Sequence, residues 1–177
     1  MRSFPEVIVL VAGATDLGTL PRATPGVAGA IGLQAGRWHF EGVGGYWTPQ
    51  SATATTSAAG AQFRAFSLEG RAAYGWPFGP FVAGPFAGGG VESLAASGFG
   101  GTSANYTRGA AVGTILAGAF GSWRAQGGAG LRFEVEGEVP LSRLSFSVDE
   151  PPPRAESLVF RLPPVAGRAL LGLEARF

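Results

Sequence analysis

The sequence predicts an all-β protein, an eight-stranded antiparallel up-and-down transmembrane β-barrel. Three observations lead there. Apolar residues recur at every second position over stretches of about ten residues, the pattern of a strand with two unlike faces. The connections between these stretches alternate between short and long. Only 14% of residues are charged, well under the roughly 25% of soluble domains. Yet the longest apolar run, 7–14, falls far short of the ~18 residues a membrane helix needs.

The first strand is expected at 6–15. Met1 to Glu6 carry one positive charge, then a proline and an acid. This does not make a secretory signal, so 7–15 is read as a strand rather than a leader, which keeps the strand number even. A second strand is expected at 26–35. In the third, 38–47, Trp38, Phe40 and Tyr46 oppose His39 and Glu41. In the fourth, 61–75, Phe66, Leu68, Gly70, Ala72 and Tyr74 oppose Ser67, Glu69 and Arg71. Strands at 80–92 and 108–120, like 26–35, alternate larger apolar residues with Gly, Ala or Thr. In 108–120, Val112 and Leu116 alternate with Gly113 and Ala117, and Ile115 interrupts the pattern.

The seventh strand, 128–140, is the clearest. Leu131, Phe133, Val135 and Val139 take one face; Arg132, Glu134, Glu136 and Glu138 take the other. On a helix those four charges would scatter around the circumference; on a strand they form one file. The last strand, 165–177, repeats the design. Ala169, Leu171, Leu173, Ala175 and Phe177 oppose Arg168, Gly172, Glu174 and Arg176.

Short links are expected near 36–37, 76–79 and 121–127, and long ones at 16–25, 48–60, 93–107 and 142–164. Trp38, Tyr74, Trp76, Phe78, Phe81, Phe120, Trp123 and Phe177 all gather at the short-link side. An aromatic girdle at one rim suits a membrane boundary, where a ring can keep an apolar body in lipid and a polar edge in water.

A soluble lipocalin-like, ligand-binding barrel would turn the same alternation inside out. It would then show mostly Gly and Ala to solvent from 26–35, 80–92 and 108–120. Turned inward, those small residues fit a narrow eight-stranded lumen. Glu41, Glu69, Arg71, Arg132, Glu134, Glu136, Arg168, Glu174 and Arg176 then form an ion-pair network that fills it. Towards lipid, a basic residue near the midplane would cost roughly 2–4 kcal/mol.

The ending Gly172-Leu173-Glu174-Ala175-Arg176-Phe177 resembles the C-terminal signal of outer-membrane proteins, a final aromatic preceded by apolar residues at every second position. It departs from that pattern at Ala175, where an aromatic is common, and at Leu170, where a polar residue is usual. The whole chain resembles the small eight-stranded class typified by outer-membrane proteins A and X. The resemblance implies a bacterial outer-membrane location, outer-membrane lipid around the barrel, and recognition of the last strand by the barrel-assembly machinery.

No catalytic, cofactor-binding or metal-binding residues are assigned, and no cofactor is expected. The net charge of +1 gives no basic field for nucleic acid. The absence of cysteine removes disulfides, thiolate metal sites and cysteine nucleophiles. Val9 to Gly18 resembles a dinucleotide-binding glycine turn, but Asp16 stands where a glycine is needed, and Pro21 and Pro25 prevent the following helix. His39 with Glu41 two residues on, joined by a serine, could make a hydrolase-like trio of the kind that modifies lipid A. An unreactive lumenal or rim histidine is the plainer reading. One histidine cannot build a multi-histidine metal site. Glu134, Glu136 and Glu138 could line a cation path, but an eight-stranded lumen leaves room for side chains and little water. Asp149-Glu150-Pro151-Pro152-Pro153 reads as a stiff loop, and the Asn105-Tyr106-Thr107 glycosylation pattern carries no weight in a bacterium. The expected function is therefore non-enzymatic, a structural or surface-interaction role with four longer loops on one side. A lipid-modifying enzyme, a narrow channel and a soluble ligand-binding barrel are the alternatives.

Overall fold

The structure is a computed structural model that describes residues 5–54, 59–100, 107–125, 127–149 and 156–177. The strands are β1 (Glu6–Leu17), β2 (Thr24–Ala35), β3 (Trp38–Thr53), β4 (Gly60–Tyr74), β5 (Trp76–Phe78), β6 (Phe81–Phe99), β7 (Thr107–Arg124), β8 (Ala129–Pro140), β9 (Ser145–Asp149), β10 (Glu156–Arg161) and β11 (Ala166–Arg176). The sheet runs β4-β3-β2-β1-β11-β8-β7-β6 and closes through β4–β6 pairing. Every pairing is antiparallel, including the β1–β11 seam, where Ile8 faces Arg176 and Leu17 faces Gly167. The short β5 continues the line of β4 along β6, so the barrel has eight staves.

The two faces divide as the alternation predicts. Leu131, Phe133, Val135, Val139, Leu171 and Leu173 all point outward, whereas Arg132 and Glu134 are each only 1% exposed. On β4 the outward file stays apolar from Tyr74 to Phe66 before giving way to Arg64 and Gln62. That stretch is about 26 Å of strand at ~3.3 Å per residue. Tilted by roughly 40°, it makes a belt about 20 Å tall, close to the ~25 Å of a membrane barrel.

The tight turns are chemically explicit. Gly36 and Gly79 both have φ near +63°, a conformation glycine adopts without steric cost. Pro85, inside β6, has no N–H to give a neighbour, and it lies with Gly84 in the interval between the β4–β6 and β5–β6 pairings, beside the break at Gly75 that separates β4 from β5. Proline within a sheet is confined to such irregular positions. Trp38, Tyr74 and Trp76 form a ring chain at this rim, edge-on at 5.1 and 5.3 Å, joined by exposed Phe78, Phe81, Trp123 and Phe177.

Three features depart from the sequence expectation. Phe120 is not part of the girdle: it is buried in the lumen, with the Arg132 guanidinium 4.8 Å above its ring. Val112 and Leu116 likewise point inward, and Ile115, which broke the apparent pattern, is the lipid-side residue. In both cases register decides the face, because Phe120 pairs with Glu134 and Leu116 with Glu138. Finally, β3, β6 and β7 run past their expected ends, and the segment 142–164 carries the β9–β10 hairpin. The residues 150–153 of the expected stiff loop, and 105–106 of the glycosylation pattern, lie outside the described residues.

Candidate functional site

The lumen is crossed by arginine struts. Arg132 on β8 grips both oxygens of Glu41 on β3, at 2.5 and 2.9 Å; those two staves are diametrically opposite in the sheet order. Arg132 also holds Glu134 at 2.6 Å and Glu174 at 3.3 Å. Arg71 on β4 reaches Glu134 at 2.6 Å, Glu69 at 2.9 Å and Glu136 at 3.0 Å. Arg168 on β11 sits among five carboxylates: Glu69 at 2.5 Å, Glu92 and Glu138 at 2.7 Å, Asp16 at 3.0 Å and Glu136 at 3.5 Å.

Eight of the nine residues assigned to the lumen by alternation therefore meet there, and the ninth, Arg176, joins them from the short-turn mouth through Glu174 at 2.6 Å. Asp16 and Glu92 were missed. The signal was their place in the alternation, but the expected strands stopped at 15 and 92 and left them at the edge of loops. Glu69, Glu136 and Glu138 bring carboxylate oxygens within 4.8 Å of one another, but each is already gripped by Arg71 or Arg168, so the cation at this cluster is a guanidinium.

A second layer closes the lumen towards the long-loop end. Leu20, Trp47, Phe63, Leu94, Val112 and Leu162 form a buried apolar cluster there. The β9–β10 hairpin caps it, setting Phe146 and Phe160 edge-on to Phe63 at 5.2 and 5.5 Å. Arg168 lies 5.0 Å over the Trp47 ring, so Trp47 divides the ionic layer from the apolar one. With struts below and an apolar plug above, the acidic file of β8 lines no open path among the described residues.

His39 is completely buried. Its Nδ1 is 4.0 Å from Glu41, whose two oxygens are committed to Arg132, and both ring nitrogens lack hydrogen-bond partners. The ring packs 5.3 Å from Phe120. A general base needs an orienting partner and a nucleophile within reach, and the imidazole has no hydrogen bond to either. Phenylalanine would fill the same space with no unsatisfied nitrogen. His39→Phe is expected to leave the urea unfolding midpoint unchanged or raised; a clear fall in the midpoint would show that the imidazole makes a bond the structure lacks.

Beyond the apolar belt the barrel continues on one side only. β3, β4, β6 and β7 rise together, paired as far as Thr53–Gly60, Gly60–Phe99 and Ser97–Thr107. β8 leaves β7 at Thr114–Pro140, and one further bond joins Leu141 N–H to the Gly113 carbonyl. Among the described residues, β7 from Thr107 to Val112 has no hydrogen-bonded strand on that side. An open edge of this kind is a template for strand addition.

No family model matches the chain, and no curated protein matches it in sequence. Solved structures do match in fold. A major outer membrane protein from Thermus thermophilus superposes with a TM-score of 0.74 at 11% identity, over 99% of this chain and 100% of that one. The fold is that of the small outer-membrane barrels. The attachment invasion locus protein of Yersinia pestis, solved with the heparin analogue sucrose octasulfate, gives 0.61 at 12% identity over 99% and 100% of the two chains. The Neisserial surface protein A gives 0.53 at 14% identity over 99% and 98%.

Proposed function

We propose that this chain resides in a bacterial outer membrane as a non-enzymatic barrel with its working surface at the long-loop end. The observation that carries the reading is the one-sided blade of β3, β4, β6 and β7 standing above the apolar belt, with the β7 edge unpaired from Thr107 to Val112 among the described residues. The lumen supports it: a filled, cross-strutted interior suits an anchor better than a conduit. The sealed His39 supports a non-enzymatic role for the same reason. The final strand, β11, would be the one that the barrel-assembly machinery engages.

The chain has no native cysteine, so single substitutions can be labelled cleanly. With a membrane-impermeant maleimide, Ser51→Cys on the blade is expected to react in intact cells. Gly79→Cys at a tight turn is expected to react only after the outer membrane is opened. The reverse pattern, or labelling of both in intact cells, would refute the orientation. The surface role itself is tested by Ala111→Pro, which would deny a partner strand one position of the β7 edge. It is expected to weaken adhesion of cells displaying the protein, with unchanged surface amount; unaltered adhesion would remove the edge from the proposal.

A further inference from the structure

At the opposite end, the short-turn mouth holds a cavity of about 270 Å³ bordered by Glu6, Arg124, Gly128, Gly130, Glu174 and Arg176, among others. Two guanidiniums converge there on one neutral acceptor. Arg124 Nη2 donates to the Gln34 amide oxygen at 3.3 Å, and Arg176 Nη1 donates to the same atom. Arg176 Nε is satisfied by Glu174 at 2.6 Å. Arg124 Nε and Arg176 Nη2 are buried and have no acceptor, and Arg124 has no carboxylate partner among the described residues.

Buried donors without acceptors are costly, and two cations sharing one amide oxygen repel each other. Water can satisfy a donor, but it leaves that repulsion in place. An oxyanion relieves both at once, because its oxygens accept from two guanidiniums with charge-assisted bonds. Glu174 cannot serve, being already committed to Arg132, Arg176 and Ser122. Glu6 is exposed at the lip and is the only other carboxylate side chain on the wall among the described residues; Phe177, also on the wall, has its carbonyl oxygen occupied by Val7 N–H at 3.0 Å. Gly128 and Gly130 present only backbone to the wall: a Cβ would collide with the Arg176 carbonyl oxygen at the first and the Trp123 carbonyl oxygen at the second, and Gly128 has φ +84°, which disfavours any side chain.

We propose that this mouth binds a small oxyanion, a carboxylate or phosphate group held between Arg124 and Arg176. The volume is below the ~300 Å³ where pockets for drug-sized ligands begin, so it fits a free ion or the charged end of a longer molecule rather than a whole metabolite.

The test uses the full chain folded in an uncharged glucoside detergent, since phosphocholine headgroups would compete. Inorganic phosphate, acetate, N-acetyl-glycylglycine and the amide of that dipeptide are titrated at constant ionic strength, with ¹⁵N shifts as readout. Saturable shifts are expected at Gly128, Ala129, Gly130 and the Arg124 and Arg176 Nε groups. Binding is expected at least tenfold weaker in the Arg124→Gln, Arg176→Gln double variant. Glu6→Gln, on the exposed lip where folding is not at stake, should bind as tightly or tighter because a competing carboxylate is gone. If the dipeptide acid binds and its amide does not, the site takes a chain end; if only phosphate and acetate bind, it takes free ions. The proposal falls if shifts do not saturate, if the double variant binds like the parent, or if Glu6→Gln abolishes binding.

Discussion

Arg168→Met is expected to be the most destabilising single substitution in the lumen, by about 3–5 kcal/mol, the cost of breaking a buried ion pair from one side. The change removes one positive charge and leaves Asp16, Glu69, Glu92, Glu136 and Glu138 facing one another around an apolar side chain. Glu69 and Glu136 keep Arg71, but Asp16, Glu92 and Glu138 have no other arginine partner among the described residues. Equilibrium urea unfolding in lipid vesicles measures the loss. Adding Glu92→Gln and Glu138→Gln to Arg168→Met should restore part of the stability, because these changes remove the charges left unpaired. If Arg168→Met unfolds at the parent's urea concentration, the lumen is wetter than the structure shows and its arginines are not structural struts.

The second large effect is expected on the other face. Leu171 is 61% exposed, lies opposite Phe133 and Gly13 on its neighbours, and sits near the middle of the apolar belt. Leu171→Arg should cost roughly 2–4 kcal/mol in a bilayer, the penalty for a basic residue at the midplane of a barrel's lipid face. The same substitution at Leu141, exposed beyond the last β8 residue at the long-loop rim, should cost ~1 kcal/mol or less. A depth-independent pair of values would mean that neither position faces hydrocarbon.

Much of this barrel was legible in the sequence where the two faces differ in charge. In β8 and β11 a file of ionic residues alternates with Leu, Phe and Val, so both the strand and its orientation follow at once. Legibility failed where both faces are apolar. In β7, Phe120, Leu116 and Val112 are as greasy as Ile115, and periodicity says only that they lie on opposite sides, not which side meets lipid. That choice is made by register with β8, a non-local fact: Phe120 shares a face with Glu134 because the two pair. The ends of β3, β6 and β7 were missed for a different reason. Above the belt their outward residues are mostly Ser, Thr, Ala and Gly and their inward ones are often alanine, a contrast too weak to separate strand from loop. Asp16 and Glu92 were lost with the strand ends they occupy. At the lumenal site, the arginines and most of the acids were named correctly, while their partners across the barrel depended on closure. The mouth pairing of Arg124 with Arg176 through Gln34 joins three separate strand ends, and no local pattern could reveal it.

The central physical claim is that apolar side chains meet hydrocarbon while the ionic file is shut away from both lipid and water. Single nitroxide labels at Phe133, Val135, Leu171 and Leu173, in bilayers of the reconstituted protein, test it most directly through collision rates with dissolved oxygen and with a water-soluble nickel chelate. Oxygen is expected to dominate at all four positions, increasingly so towards the bilayer centre. Dominance of the nickel chelate there would place these residues in water and contradict the claim.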